Sequence, residues 1–99
     1  MNEAMVMQRI RNERSRQEAK WGQQNHDPLL WLAILGEEVG EANKAAIEGE
    51  GGKYCKELVE VAAVAVAAVE SYYRNFQAGE PMIEPEVDKQ LARKEETDA

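Results

Sequence analysis

The sequence predicts an all-α fold, and two observations lead to this prediction. Apolar residues recur at helical spacing over 28–48 and 53–76, and the segment between them contains three glycines. Apolar residues three or four positions apart share one face of a helix, whereas clustered glycines end helices. The valines of 53–76 would also suit a strand, but interleaved alanines and the length of the segment favour a helix. We therefore predict a helical hairpin.

An additional N-terminal helix should precede the hairpin. Asn2 is a suitable N-cap, and Glu3 places an acid in the first turn. Apolar residues are sparse along this helix, so we expect most of it to be exposed to solvent. Residues 20–27 should form a loop, and Asp27 followed by Pro28 should start the second helix as its N-cap and first helical residue.

The end of the third helix is predicted to divide the chain. Residues 1–76 should form the single folded domain of this 99-residue chain. Glycine, prolines and many charged residues follow, and such a composition cannot bury enough apolar surface to order the chain. We therefore expect 77–99 to be a charged, partly disordered C-terminal tail with one marginal helix near 87–94.

Two segments are apolar on nearly every side, Leu29 to Leu35 and Val61 to Val69. A two-helix hairpin cannot cover such surfaces alone, so the domain should assemble into a four-helix-bundle-like homo-oligomer, a dimer or a tetramer. Neither segment approaches the roughly 20 apolar residues that cross a bilayer. The charged N-terminus lacks the apolar segment of a signal peptide. We expect a cytoplasmic protein that does not bind membranes.

Charge and cysteine content narrow the possible functions. Nineteen acidic residues against twelve Lys and Arg give a formal charge of −7, which disfavours binding to a nucleic-acid polymer but permits a metal-bound nucleotide. The single cysteine, Cys55, excludes an intrachain disulfide and suits a reducing compartment. We expect it to be a small buried helix residue. A nucleophilic pair of Cys55 with His26 is disfavoured because no activating neighbour flanks the thiol.

Two acidic pairs interrupt the apolar faces of the hairpin: Glu38 with Glu41, and Glu57 with Glu60. Each pair is spaced three residues apart and therefore projects from one helical face. In an antiparallel hairpin turning near residue 50, Glu41 lies level with Glu60, and the other two acids lie one turn away, about 4.5 Å along each helix. The four carboxylates should therefore converge between the helices.

Buried ionised carboxylates cost several kcal/mol each unless they are paired or bind a cation. A divalent cation would therefore stabilise this arrangement. Oxygen ligands favour Mg²⁺, with Mn²⁺ as a possible substitute. Zinc is disfavoured because the only histidine, His26, lies outside both acidic pairs.

The acidic pattern resembles the MazG-type all-α nucleoside triphosphate pyrophosphohydrolases. That family carries Glu-Glu-x-x-Glu on one helix and Glu-x-x-Asp on the next; here the motifs are Glu37-Glu38-x-x-Glu41 and Glu57-x-x-Glu60. The N-terminal block is similar to short, single-domain members of the family, through the segments Arg14-x-Arg16-Gln17, Lys20-Trp21-Gly22, His26-Asp27-Pro28 and Trp31-Leu32-Ala33.

The resemblance implies hydrolysis of a nucleoside triphosphate at its α-phosphorus, giving the monophosphate and pyrophosphate. By position, Glu38, Glu41, Glu57 and Glu60 would hold Mg²⁺, and Glu37 would orient or deprotonate the attacking water, so that the first motif is the catalytic one. The family's last aspartate is replaced by Glu60. A displacement of about 1 Å can reduce a rate on the order of a hundredfold, so metal binding is a safer expectation than fast turnover.

Two further groups of residues are candidates for substrate binding. Three lysines near the acids could receive the phosphate chain as point charges: Lys44, Lys53 and Lys56. Solvated helix surface explains each of them equally well. By the same resemblance, an aromatic side chain near the start of the second helix could stack on the base, and the candidates are Trp21, His26 and Trp31. For Trp31, packing in the core is the favoured interpretation.

Two other functions compete with this interpretation. In a noncatalytic nucleotide-binding or protein-interaction module, the acids would be solvated or would complement helix dipoles. Glu57 fits that description because it lies near a helix start, whereas Glu60 does not. A di-iron bundle would require Glu-x-x-His pairs, which the sequence lacks.

Overall fold

The computed structural model describes residues 1–76. It contains three helices in this range and no strand: α1 (Glu3–Trp21), α2 (Pro28–Ile47) and α3 (Gly51–Asn75). The predictions of an all-α fold, of an N-terminal helix and of a helical hairpin are therefore confirmed. The predicted C-terminal tail, with its marginal helix, lies outside the described residues.

The first two helices begin at the predicted caps. Asn2 Oδ1 accepts a hydrogen bond from the backbone N–H of Met5 at 3.0 Å, and Asp27 Oδ1 accepts one from that of Leu30 at 3.0 Å. Pro28 occupies the first helical position, where a missing N–H costs nothing. Each cap satisfies a backbone donor that the helix itself cannot, which is worth about 1 kcal/mol.

Glycines with positive φ separate the helices. Gly22, with φ of 72°, ends α1 and donates its N–H to the Glu18 carbonyl at 2.8 Å. Gly49, also at 72°, reverses the chain after α2. One such residue suffices for the turn, so Gly51 can already be helical, and α3 starts two residues before the predicted position.

Helices α2 and α3 pack against each other as an antiparallel hairpin, and α1 packs on α3. The apolar core is formed by Trp31, Val64 and Ala67, with partly buried neighbours Ile34, Leu35 and Ala68. Closer to the turn, the buried residues of the hairpin are small: Ala42, Ala45 and Ala63. Of α1, only Gln17 is buried, which confirms that this helix is mostly exposed.

Much apolar surface remains uncovered. Leu32 is 61% exposed and Tyr73 is 75% exposed, at the end of the hairpin away from the turn. Cys55 is exposed, so its predicted burial is wrong; in this part of α3 the buried residue is Glu57. Within residues 1–76, no helix combines the length and the apolar character needed to cross a bilayer.

Candidate metal centre

Three carboxylates converge between the helices of the hairpin. Glu38 projects from α2, and Glu57 and Glu60 project from α3, with one carboxylate oxygen of each lying within 4.8 Å of the others. Glu57 is buried, with 8% of its surface exposed, and the other two are half-buried. The spacing of three residues on α3 puts both of its acids on the face that α2 covers.

The proximity of these acids changes their acid–base properties. Burial raises the pKa of Glu57, and the adjacent carboxylates of Glu60 and Glu41 raise it further. Burial also raises the pKa of Glu60, helped by the nearby carboxylate of Glu38. Each raised pKa means that the ionised form is disfavoured in the folded protein. A proton or a cation shared between these carboxylates relieves that cost.

The remaining two acids of the first motif lie outside this cluster. Glu41 is exposed and lies outside the group of three, although its charge reaches Glu57. Glu37 is exposed and also lies outside the group. The structure thus brings Glu38, rather than Glu41, beside Glu60. Which acids meet depends on the register of the hairpin, which the conformation of the turn sets.

Helix α1 contributes a group of charged and polar side chains beside the acids. The guanidinium of Arg16 forms a two-pronged ion pair with Glu13, at 2.6 and 2.8 Å, and Gln17 donates to the same carboxylate at 3.2 Å. These bonds hold the pKa of Glu13 below its ordinary value, with Arg16 as the main cause. The charges of Glu60 and Glu38 act on Arg16 as well, raising its pKa together with Glu13.

A cleft of about 160 Å³ is lined both by acids of the cluster and by these residues of α1. Its acidic end contains Glu38 and Glu60, and its other walls are residues of α1, of the α1–α2 loop and of the core, including Glu13, Arg16, Gln17, Trp21, Gln24 and Trp31. Glu13, Arg16 and Gln17 have no assigned role in the sequence interpretation. Their spacing of three and four residues indicates only that they share one face of α1, not that this face lines the cleft.

The predicted aromatic residues separate into different environments. Trp21 is 51% exposed and lines the cleft. Trp31 is 6% exposed and belongs to the core, as favoured from the sequence, although one surface of it also faces the cleft. His26 does not line the cleft: its ring packs edge-on against Trp31, with centroids 4.8 Å apart, beside a separate apolar groove.

The three predicted lysines are also separated. Lys56 lines a shallow groove of about 300 Å³, together with Arg9 and Arg16, which adjoins the cleft. Lys53 lies 3.9 Å from Glu50, an exposed pair at the start of α3. Lys44 is exposed in the last turn of α2 and lines neither the cleft nor the shallow groove. Of the three, Lys56 is therefore the best placed to meet a ligand of the cleft.

Comparison with known proteins identifies no relative of this chain. No family model, no curated protein and no solved structure matches it. The resemblance to the MazG type therefore depends on the acidic motifs and the N-terminal block of the sequence. Any functional assignment depends on those motifs and on the chemistry of the acidic cleft.

Proposed function

We propose that this protein is a Mg²⁺-dependent nucleoside triphosphate pyrophosphohydrolase of the MazG type. It would convert a nucleoside or deoxynucleoside triphosphate to the monophosphate and pyrophosphate, as a cytoplasmic enzyme that removes unwanted nucleotides from the pool. The observation that carries the proposal is the convergence of Glu38, Glu57 and Glu60 within 4.8 Å, beside a cleft that the first and the last of them line.

The ligand chemistry of the cluster suits a hard cation. All of its ligand atoms are carboxylate oxygens, and neither His26 nor Cys55 belongs to it. Mg²⁺ binds such oxygens and usually retains several waters, and Mn²⁺ tolerates the same ligands. The raised pKa values of Glu57 and Glu60 support the same assignment, because a bound cation would offset the repulsion that raises them. Glu41, whose charge reaches Glu57, would complete the ligand set.

The residues around the cluster have chemical roles in this proposal. A bound divalent ion supplies two things that hydrolysis of a phosphoric anhydride needs, a water of lowered pKa and neutralisation of phosphate charge. Glu37, exposed one position before Glu38, would accept the proton of the attacking water. Arg16 and Lys56, where the cleft adjoins the shallow groove, would receive the phosphate chain.

The far end of the cleft would receive the base. Trp21 offers an exposed indole face there, and stacking of a base on an aromatic side chain is worth about 1–3 kcal/mol. Gln17 and Gln24 lie along the same cleft and carry both hydrogen-bond donors and acceptors. His26 would support this end indirectly, through its contact with Trp31, rather than by touching the nucleotide.

The exposed apolar surface supports assembly into a homo-dimer or homo-tetramer. A groove of about 370 Å³ lies at the open end of the hairpin, where its walls are almost wholly apolar, including Leu32, Val69, Tyr72, Tyr73 and Phe76. Large exposed apolar patches are typical of protein interfaces. A second hairpin packed here would complete the four-helix bundle predicted from the sequence.

Pyrophosphate release is the direct test of the proposed reaction. The protein should release pyrophosphate from at least one member of a panel of canonical and modified NTPs and dNTPs, in the presence of Mg²⁺. Glu38→Gln should reduce this rate by at least about a hundredfold, because it removes a charge from the cluster. Glu48→Gln provides a matched control, since Glu48 is an exposed acid of the hairpin turn outside the cluster.

The same experiment separates the enzyme from its strongest competitor. Mg²⁺-dependent binding of a nucleotide without pyrophosphate release would identify a noncatalytic nucleotide-binding module. Glu60, in place of the family's aspartate, and the exposed position of Glu37 are the features that favour this second function. Release of inorganic phosphate instead of pyrophosphate would contradict attack at the α-phosphorus.

A further inference from the structure

One arginine of α3 binds three consecutive residues of the loop between α1 and α2. Arg74 Nε and Nη2 donate to Asn25 Oδ1, at 3.1 and 3.0 Å, and Nη2 also donates to the Gln24 carbonyl at 3.1 Å. With the Gln23 amide turned so that its oxygen faces the guanidinium, that oxygen accepts from Arg74 Nη1 at 3.2 Å. A single side chain thus connects the loop to the end of the hairpin.

The loop has little backbone hydrogen bonding of its own. Within residues 1–76, hydrogen bonds between backbone groups stop at the two helix ends and engage none of residues 23–26. The donation from Arg74 therefore restrains a loop carbonyl that no backbone N–H reaches. Asn75 donates to the same Asn25 oxygen at 3.0 Å. The position of the loop thus depends on contacts with the last turn of α3.

A guanidinium suits this set of contacts. It presents five N–H donors in a rigid planar fork, whereas a lysine ammonium is a point charge on a flexible stem. Arg74 lies in the last turn of α3, and Glu70, one turn earlier, contacts Arg14 of α1 at 3.4 Å. Residues four apart share a helix face, so one face of α3 holds both α1 and the loop that follows it.

The loop that Arg74 holds contributes Gln24 to the wall of the acidic cleft. Neither Arg74 nor Asn25 lines that cleft. Glu60, at the acidic end, lies about 21 Å from Arg74 along the axis of α3, by helical rise. Arg74 can therefore influence the cleft through the loop, and it lies too far from the acids to contact a cation there.

We propose that Arg74 is a positioning residue, which fixes Gln24 in the wall of the cleft and thereby sets the affinity of the cleft for a nucleobase. Because the base end of the cleft is assigned by the proposed function, this role rests on that proposal. The Gln24 amide offers both a donor and an acceptor, the groups that pair with the edge of a base. A wall that is in place only a tenth of the time weakens apparent binding about tenfold.

Steady-state kinetics of the full chain with Mg²⁺ and the canonical NTPs and dNTPs provides the test. Arg74→Lys keeps the charge but loses the fork, so it should raise KM about tenfold and leave kcat unchanged. Inhibition by inorganic tripolyphosphate, which has no base, should be the same in this variant as in the wild type. Arg11→Lys, at an exposed position of α1, is the matched control and should change none of these values.

Two further variants test whether Arg74 acts through the loop. Asn25→Ala removes the oxygen that accepts from Arg74, so it should raise KM as Arg74→Lys does, and it serves even where the arginine variant does not fold. In a Gln24→Ala background, Arg74→Lys should raise KM little further, because two changes on one path do not add.

An unchanged KM in both Arg74→Lys and Asn25→Ala would overturn this role. So would a fall in kcat at constant KM, or an equally weakened inhibition by tripolyphosphate, since either would mean that the whole cleft is disturbed. A wild type that binds nucleotides without releasing pyrophosphate would contradict the hydrolase alone, and dissociation constants from titration calorimetry then replace KM in the same comparison. A wild type that binds no nucleotide would overturn both.

Discussion

The two ends of the hairpin enclose different kinds of side chain: carboxylates toward the turn and apolar groups at the open end. Toward the turn, α2 and α3 enclose the carboxylates of Glu38, Glu57 and Glu60. At the open end the same two helices enclose Trp31 and expose an apolar groove. The open end stabilises the fold by itself, because apolar burial is favourable without a ligand. The acidic end costs free energy until something neutralises it. The apolar half of the hairpin thus stabilises the fold, whereas the acidic half carries the proposed cation site.

Of the changes that test this comparison, truncating the core tryptophan should change the free energy of unfolding most. Trp31→Ala should lower the free energy of unfolding by about 3–5 kcal/mol, because it leaves a cavity in the apolar core. Urea denaturation followed by circular dichroism measures this loss. Trp21→Ala, at a half-exposed position, should change stability by only about 0.5 kcal/mol. An equal loss of unfolding free energy in the two variants would mean that the apolar core at the open end does not dominate stability.

Adding Mg²⁺, which we propose binds at the acidic end, should have the next largest effect on stability. Mg²⁺ at a hundred times its dissociation constant should stabilise the folded protein by about 2.7 kcal/mol, through linkage of binding to folding. Thermal denaturation with and without Mg²⁺ detects this shift. Glu38→Gln should abolish it, and Glu48→Gln should retain it. An undiminished shift in Glu38→Gln would show that the cation binds elsewhere.

Disrupting the apolar groove should weaken self-association and leave the acidic end intact. Leu32→Ser should raise the dissociation constant of the oligomer about tenfold or more, because a hydroxyl buried in this apolar groove without a partner costs about 1–3 kcal/mol. Sedimentation velocity over a range of protein concentrations measures this dissociation constant. The Mg²⁺-dependent shift in melting temperature should persist in this variant. A wild-type chain that stays monomeric at every concentration would contradict the proposed assembly.

The pH dependence of the metal-free protein should show the smallest effect. The raised pKa values of Glu57 and Glu60 mean that the folded state binds their protons more tightly than the unfolded state does. Their contribution therefore favours folding at acid pH and is lost as the pH rises through the raised values. Glu57→Gln removes the buried charge, so this variant should be more stable than the wild type at neutral pH without metal.

The stability difference between Glu57→Gln and the wild type should shrink as the pH falls through the raised pKa. Comparing the two proteins at each pH cancels the opposite contribution of Glu13, whose pKa is lowered. Denaturation in a chelating buffer at several pH values gives this difference. If the stability advantage of Glu57→Gln grew toward acid pH instead, the folded protein would favour, not disfavour, the ionised form of Glu57.

The parts of the fold that local chemistry controls were predictable. Asn2 and Asp27 cap their helices as expected, because a cap requires only a side-chain oxygen beside the first free backbone donors. The pairing of Glu57 with Glu60 was predictable for the same reason, since three residues on one helix always place two side chains on one face. The expected burial of Cys55 failed because the direction of the buried face depends on neighbouring helices.

The part of the site that was missed depends on contacts between distant segments. No local pattern shows that Glu13 and Arg16 of α1 would line the same cleft as Glu38 and Glu60. Nor could spacing alone decide whether Glu38 or Glu41 lies beside Glu60. A helix period says which residues share a face but not the register between two helices, and here a single positive-φ residue, Gly49, reverses the chain.

The sequence by itself determined three helices, the N-caps of the first two, their apolar faces and the presence of two acidic pairs in the hairpin. These features follow from interactions between residues a few positions apart, which any chain of this sequence would make. Only the tertiary structure decided which acids converge and that Glu13 and Arg16 of α1 line the cleft beside them. Those outcomes depend on packing between segments far apart in the chain, where differences of a few ångströms decide whether two groups interact.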